Sequence, residues 1–210
     1  MNYPPEFVSN NDPQLHLDCV FMHDCHADKL HINPTDINKK SVSGWTPLEL
    51  AAIHGKIKMC KKLLNAGALI NNVLMNTVAY SGTMNNNKMV KFLISQGANV
   101  NDNINSIVVL DMAVSSTATA GSIETVKILL DAGAQMDDNS LFIAVCMKNS
   151  TIETAKLLIN RGADICILNK IESKYSKELD WCRIILLVNI NVGYNTQLQI
   201  GRVLKLIKQL

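Results

Sequence analysis

The stretch that decides the fold is GWTPLELAAIHG, residues 44–55. Within it, Thr46 can cap a helix by accepting a hydrogen bond from a backbone N–H, and Pro47 suits the first helical turn, where no N–H is needed. The paired alanines let a neighbouring helix come close, and Gly55 allows the chain to reverse. The stretch therefore predicts a short helix that turns back into a second helix over residues 57–65.

The end of that second helix recurs along the chain. Four segments carry a lysine, a run of apolar residues and then Gly-Ala: KLLNAGA at 62–68, KFLISQGANVN at 91–101, KILLDAGA at 127–134 and KLLINRGAD at 156–164. Their glycines lie 30, 36 and 29 residues apart, which scatters about a repeat period near 33. Glycine can take the left-handed conformation that ends a helix, so each segment predicts a helix and its stop.

These residues resemble the ankyrin-repeat family. The pattern Gly-x-Thr-Pro-Leu-x-x-Ala-Ala-x-x-Gly at 44–55, followed by Leu-Leu at 63–64 and Gly-Ala at 67–68, matches the family consensus at nearly every defining position. The resemblance implies an all-α fold, an ankyrin-repeat solenoid of stacked helix-turn-helix units with degenerate capping repeats at both ends.

The resemblance also divides the chain into three parts. Four ankyrin repeats occupy residues 40–170. Residues 1–39 hold an N-terminal segment and a degenerate capping repeat, because TDIN at 35–38 is similar to the family's Ala-Asp-Val-Asn ending. Residues 171–210 hold a degenerate repeat and a C-terminal capping helix at 197–210.

The sequence departs from the family pattern in three respects. Only the first repeat has Thr-Pro-Leu, and Glu49 stands where the family usually has histidine. The second and fourth repeats are several residues short between one Gly-Ala and the next helix pair, which predicts truncated hairpin fingers. The third repeat carries extra residues around 115–120, which predicts a longer turn between its helices.

The resemblance implies a protein that binds a partner protein, as an adaptor, scaffold or inhibitor, through the concave face of the solenoid. Ankyrin repeats make contacts through their finger tips, the first helix of each repeat and the adjoining turn. Carried over position by position, this gives the candidate contact residues Trp45, Ile53, His54, Thr83, Met84, Ser115, Ser116, Lys148 and Asn149. The resemblance implies no enzymatic activity and no cofactor, and we expect the chain to be monomeric on its own.

Trp45 has two interpretations. It lies just before the Thr-Pro-Leu cap, where family members rarely need a large apolar side chain, and tryptophan is enriched among the residues that dominate binding energies. This favours contact with a partner. Alternatively, the ring covers an apolar patch of the degenerate leading repeat. The sequence leaves both interpretations open.

Composition narrows the classes of partner. Hydrophobic residues make up 48% of the chain, whereas the net charge is only +2 and aromatic residues make up 5%. Neither a strongly basic groove nor a base-stacking platform is evident, so we expect no nucleic-acid partner. No apolar run approaches the roughly 20 residues that span a bilayer, the start of the chain lacks a signal-peptide pattern, and the cysteines are scattered. We therefore expect a cytoplasmic or otherwise intracellular protein.

Asn, Ile and Lys are plentiful, which is typical of an AT-rich genome. By analogy with the family, this composition is compatible with a pathogen or viral protein that acts on a host target in the host cell cytoplasm.

A Cys/His cluster near the N-terminus, Cys19, His23, Cys25, His26 and His31, gives an alternative function. Zinc needs four ligands that converge tetrahedrally, and helical spacing would bring Cys19 and His23 together. However, the usual paired-ligand spacing is absent, and His26 falls where ankyrin repeats often carry a structural histidine. A metal-binding protein or an enzyme that uses this cluster is the alternative; ordinary packing and surface placement also account for these residues, so we expect no metal.

Overall fold

The structure, a computed structural model, describes residues 8–80, 87–115, 122–146 and 152–164. Within these ranges the chain forms short helices in successive pairs, with one β-hairpin. The α-helices are α1 Gln14–Phe21, α2 Pro47–Ile53, α3 Ile57–Asn65, α4 Val73–Tyr80, α5 Asn87–Ser95, α6 Val109–Ser115, α7 Ser122–Asp131, α8 Asp138–Cys146 and α9 Ile152–Asn160. A 3₁₀ helix covers Asp24–Lys29, and strands β1 Asn103–Ile104 and β2 Ile107–Val108 pair antiparallel.

The helices stack in two layers. The first members of the pairs, α1, α2, α4, α6 and α8, contact one another in that order and form the first layer. The second members form the second layer, in which the 3₁₀ helix contacts α3, α5 contacts α7, and α7 contacts α9. Between the layers lies one apolar core, whose largest fully buried aliphatic side chains are Leu48, Leu50, Met59, Leu63, Leu74, Met89, Leu93, Leu110, Leu129, Leu141 and Leu158. The predicted all-α solenoid is confirmed.

Helix α2 begins with the predicted cap. The Thr46 side chain accepts the backbone N–H of Glu49 at 3.3 Å, and the Glu49 carboxylate accepts the backbone N–H of Thr46 at 2.7 Å. This reciprocal arrangement satisfies two backbone donors at once. The second carboxylate oxygen of Glu49 accepts a hydrogen bond from Asn76 of α4 at 2.7 Å. The glutamate that replaces the family's histidine therefore links two neighbouring first-layer helices.

The four aligned glycines end their helices as predicted. Gly67, Gly97, Gly133 and Gly162 all have φ between +89° and +97°. In the first copy, Gly67 N–H donates to Leu64 O and Ala68 N–H donates to Leu63 O, both at 3.0 Å. The other three copies repeat this pair of bonds, which is the Schellman arrangement that satisfies the last carbonyls of a helix.

Replacing Gly97 by alanine is expected to lower the free energy of unfolding by about 1–2 kcal/mol, because an L-residue is strained at positive φ. A Cβ at this position would meet nothing within 4 Å, so steric overlap does not contribute. Urea unfolding of Gly97→Ala measures the loss, and Gln96→Ala, at the exposed neighbouring residue, is the control. An unchanged midpoint for Gly97→Ala would contradict the backbone argument.

Finger length varies among the repeats as the sequence predicted. After Ala68 helix α4 begins at Val73, and after Ala134 helix α8 begins at Asp138, so these two connections are short. Between Ala98 and α6 the chain has room for the hairpin at 103–108, whose turn residues Asn105 and Ser106 have φ of 53° and 67°. The expected long turn around 115–120 and the expected elements at 171–210 lie outside the described residues, apart from Ser115.

The leading unit, formed by α1 and the 3₁₀ helix, is joined to the next pair by caps that cross their boundary. The N-cap residue of α3 provides no side-chain cap; instead the Asp24 carboxylate accepts the backbone N–H groups of Lys58 at 3.2 Å and Met59 at 3.0 Å. In the other direction, Lys62 Nζ donates to the carbonyl oxygens of Asp28 and Leu30 at 2.8 and 2.7 Å. Because each unit satisfies backbone groups of the other, the two units stabilise each other.

The buried histidine of the leading unit is His16. Its exposed fraction is 0%, and its Nε2–H donates to the carbonyl oxygen of Lys39 at 2.8 Å, whereas His26 is exposed. His16 is the third residue of α1, just as Glu49 is the third residue of α2. The sequence-based placement of the structural histidine at His26 is therefore wrong, because no Thr-Pro-Leu fixes the start of α1.

Asparagine side chains link other repeats across their turns. Asn38 accepts the backbone N–H of Leu69 at 2.9 Å and donates to the carbonyl oxygen of Gly67 at 3.4 Å. Asn101 makes the equivalent pair of bonds to the turn after α7, at 2.8 and 3.3 Å. These bonds fix each turn relative to the next, which helps to make the stack a preformed surface.

Candidate partner-binding face

Three aromatic side chains occupy the same position at the ends of consecutive first-layer helices. Phe21 and Tyr80 are the eighth residues of α1 and α4, and His54 directly follows the seven residues of α2. Phe21 is 69% exposed and Tyr80 is 48% exposed, while His54 is half-buried. Helices α1, α2 and α4 are direct neighbours, so these rings follow one another along the first layer.

Trp45, just before the start of α2, adds a fourth ring to this row through its contact with Tyr80. It packs partly against the core, and its ring meets that of Tyr80 edge to face, with centroids 5.1 Å apart and an interplanar angle of 86°. Edge-to-face pairs at this distance are favourable beyond the area that they bury. Both predicted roles of Trp45 therefore remain, because its ring is half-buried and the ring that it contacts is half-exposed. We call Phe21, Trp45, His54 and Tyr80 the aromatic row.

The aromatic row carries no formal charge at neutral pH. Burial and, as the smaller cause, the positive charge of Lys56 together lower the pKa of His54 to about 4. The imidazole is therefore neutral near pH 7, and the acidic Glu49 behind the row is buried and hydrogen-bonded to Thr46 and Asn76.

We expect the His54 imidazole to titrate near pH 4. Since its pKa in the folded protein is below the unfolded value of 6.5, the unfolded chain takes up a proton first as the pH falls. The stability that the protein gains from keeping His54 neutral is thus complete above about pH 6.5, and it is lost as the pH falls toward 4. NMR titration of the ring protons measures the pKa, and His54→Gln should show a smaller loss of stability between pH 7 and 5. A midpoint near 6.5 would contradict this account.

The other predicted contact residues fall into two groups. Ile53 is only 6% exposed, so burial in α2 leaves it little surface to offer a partner. Ser115 is half-buried at the end of α6 and donates from Oγ to the Met112 carbonyl oxygen at 2.9 Å. The residues outside the described part of the chain are Thr83, Met84, Ser116, Lys148 and Asn149.

Tyr80 and Phe21 were not predicted as contact residues. His54 and Met84 lie at the same number of residues before Gly67 and Gly97, the glycines that end their helix pairs. Treating them as equivalent assumes that the two helices of each pair are separated by the same number of residues. Helix α3 begins four residues after the end of α2, whereas α5 begins seven residues after the end of α4. Counting forward from the start of α4 gives Tyr80, and a recognised helix start for α1 would likewise have given Phe21.

The Cys/His cluster does not converge in the structure. Cys19 is buried, and desolvation raises the pKa of its thiol to about 12. His23, Cys25, His26 and His31 are exposed, and the one close approach between ligand atoms joins His23 Nδ1 to Cys25 Sγ at 3.2 Å. Across the described ranges, no three His, Cys, Asp or Glu side chains are placed to hold a metal ion.

In the part of the chain that the structure describes, no helix has the length and apolar character needed to cross a membrane.

Comparison with known families agrees with this fold. A model of three consecutive ankyrin repeats matches residues 15–104, and a single ankyrin-repeat model matches residues 136–170, which together exceed half of the chain. The chain belongs to the ankyrin-repeat family. The first match begins at the second residue of α1, so all but the first residue of the leading unit of this ankyrin-repeat chain falls within the matched residues. Ankyrin repeats are modules for protein–protein interaction, and the family is generally non-enzymatic.

A viral relative has been found. An ankyrin repeat protein of Fowlpox virus (strain NVSL) is 30% identical over 139 residues, which cover 63% of this chain and 20% of that protein. The ankyrin-repeat chain is therefore similar to about a fifth of the length of this relative.

Proposed function

We propose that this ankyrin-repeat chain binds a partner protein through the concave face of its first helix layer, as an adaptor, scaffold or inhibitor. The observation that carries the proposal is the Trp45–Tyr80 pair, two aromatic rings in contact at a surface where Tyr80 stays 48% exposed. Tryptophan and tyrosine are the side chains most often found at binding hot spots. We expect the chain to act as a monomer without nucleic acid.

Rigidity supports the proposal. The helices that carry the aromatic row pack in the core, the bond from Asn76 to Glu49 links α2 to α4, and Trp45 directly precedes the capping box of Thr46 and Glu49. Rings that are already fixed lose little entropy when a partner docks. Phe21 continues the row on the neighbouring helix, so a partner can contact more than one repeat.

The viral relative supports a narrower proposal. Similarity to a Fowlpox virus ankyrin repeat protein, together with the plentiful Asn, Ile and Lys, favours a viral or other pathogen protein whose target is a host protein in the host cell cytoplasm. The similarity covers a fifth of that relative, so the viral or pathogen origin and the host target are our proposal for this chain.

Affinity purification from extract of the candidate host cell tests both proposals. Wild type is compared with Trp45→Ala/Tyr80→Ala and with Val42→Ala/Leu69→Ala, a matched control that removes exposed apolar side chains outside the aromatic row. We expect a host protein that wild type and the control retain and that the folded Trp45/Tyr80 variant loses. Equal retention by all three proteins would contradict the proposed face.

A further inference from the structure

The outer surface of the second layer changes charge between the second and third repeats. When α3, α5, α7 and α9 are aligned on their terminal glycines, the position nine residues before the glycine holds Lys58, Lys88, Glu124 and Glu153. The position six residues before it holds Lys61, Lys91, Lys127 and Lys156. At these two positions α3 and α5 therefore each carry two lysines, whereas α7 and α9 each carry a glutamate and a lysine.

The lysines of α3 and α5 face solvent. Lys58, Lys61, Lys88 and Lys91 are all exposed, on the side of each helix opposite its buried apolar residues. Neither helix contains an acidic residue. Two carboxylates are placed next to them: Asp24 accepts the backbone N–H groups of Lys58 and Met59, and Glu124 lies 3.9 Å from Lys91 Nζ. We call these four lysines the lysine face.

Helix stability does not account for the lysine face. Lys58 and Lys88 are the second residues of their helices, close to the positive end of the helix dipole, where a cation is unfavourable. Each also has a like charge three residues further on, which adds repulsion. Glu124, the third residue of α7, and Glu153, the second residue of α9, have the favourable sign both for the helix dipole and for the lysine three residues further on. Local helix stability therefore disfavours lysine at positions 58 and 88.

We propose that the lysine face binds an acidic segment of a protein, as a second docking surface on the opposite layer from the aromatic row. The four lysines place positive charge on two neighbouring repeats, and this charge complements a negatively charged chain. Of the two nearby carboxylates, Glu124 pairs with Lys91, and Asp24 is occupied by backbone N–H groups.

Other anionic partners fit this face less well. The large exposed apolar side chains of the described residues are Phe21, Val42, Leu69, Tyr80 and Ile107. None of them lies on α3 or α5, so the lysine face offers neither exposed rings for stacking nucleic-acid bases nor apolar anchors for a membrane. The backbone N–H groups at the start of α3, which would suit a phosphate, are already bonded to Asp24.

Fluorescence anisotropy with labelled decaglutamate, at about 50 mM salt where surface charges are weakly screened, tests the proposal. We expect saturable binding, and we expect the dissociation constant to rise at least about tenfold when Lys58, Lys61, Lys88 and Lys91 are all changed to Gln. The control changes four exposed lysines outside the face, Lys29, Lys39, Lys40 and Lys127, to Gln and should have a much smaller effect. Trp45→Ala/Tyr80→Ala should leave decaglutamate binding unchanged, which keeps this test separate from that of the first layer.

The single variant Lys88→Glu separates binding from stability. It should raise the melting temperature by about 1–2 °C, because the new carboxylate interacts favourably with the helix dipole and forms a Glu–Lys pair with Lys91. The same change should weaken decaglutamate binding. A lower melting temperature would assign Lys88 a structural role and overturn the argument. The proposal would also be overturned if wild type did not bind decaglutamate, or if the control variant lost as much binding as the variant of the lysine face. Tighter binding to decathymidylate or to phosphatidylserine vesicles than to decaglutamate would overturn it as well.

Discussion

Replacing Leu63 by alanine is expected to lower the free energy of unfolding by about 3 kcal/mol. Leu63 is fully buried in α3, and it belongs to the core between the two helix layers. Its truncation removes apolar contacts and leaves a cavity that the neighbouring helices fill only in part. In a solenoid each repeat is stabilised mainly by its neighbours, so the loss should weaken the leading unit and the second repeat as well.

The neighbouring leucine provides a matched control. Leu64 is half-buried at the edge of the core, so Leu64→Ala makes the same chemical change with much less burial and should cost about 1 kcal/mol. Urea unfolding followed by far-ultraviolet circular dichroism measures both variants. Equal losses, or a larger loss for Leu64→Ala, would show that the two residues are not placed as the structure has them.

Replacing Trp45 by alanine is expected to weaken binding of the partner by at least about 2 kcal/mol, or about thirtyfold in the dissociation constant. The change removes a large ring and also leaves Tyr80 without the ring that it contacts at 5.1 Å. Since the two rings touch, we expect the effects of Trp45→Ala and Tyr80→Ala to be non-additive. Isothermal titration with the partner recovered by affinity purification gives the affinities.

The two interpretations of Trp45 predict different results. If the ring only covers the core, Trp45→Ala lowers stability while the folded variant binds with unchanged affinity. If it contacts the partner, affinity falls even where circular dichroism shows a folded chain. Val42→Ala is the control, because Val42 is 75% exposed and lies three residues away in sequence. Unchanged affinity of folded Trp45→Ala would contradict the contact role.

The sequence predicted the local features of the fold well. The start of α2 follows from Thr46 and Pro47, and the helix ends follow from the Gly-Ala pairs, because both depend on residues close together in the chain. The short fingers followed from counting residues between Gly-Ala and the next helix. Local chemistry fixes these features, so one sequence is enough to predict them.

Features that depend on helix register or on distant contacts were missed. The start of α1 has no Thr-Pro-Leu, so His26 was chosen where the structure has His16. The Trp45–Tyr80 contact joins residues of different repeats, and no pattern within either repeat encodes it. The Asp24 cap on α3 likewise spans two units. In each case tertiary packing decides the outcome.

The measurement that tests the central claim most directly is site-specific photo-cross-linking of the partner. A benzophenone amino acid replaces Tyr80 in the aromatic row or, in a second protein, the exposed Lys127 on α7 of the second layer. We expect a covalent adduct with the retained partner from position 80 and none from position 127. An adduct from position 127 and none from position 80 would contradict binding through the first layer.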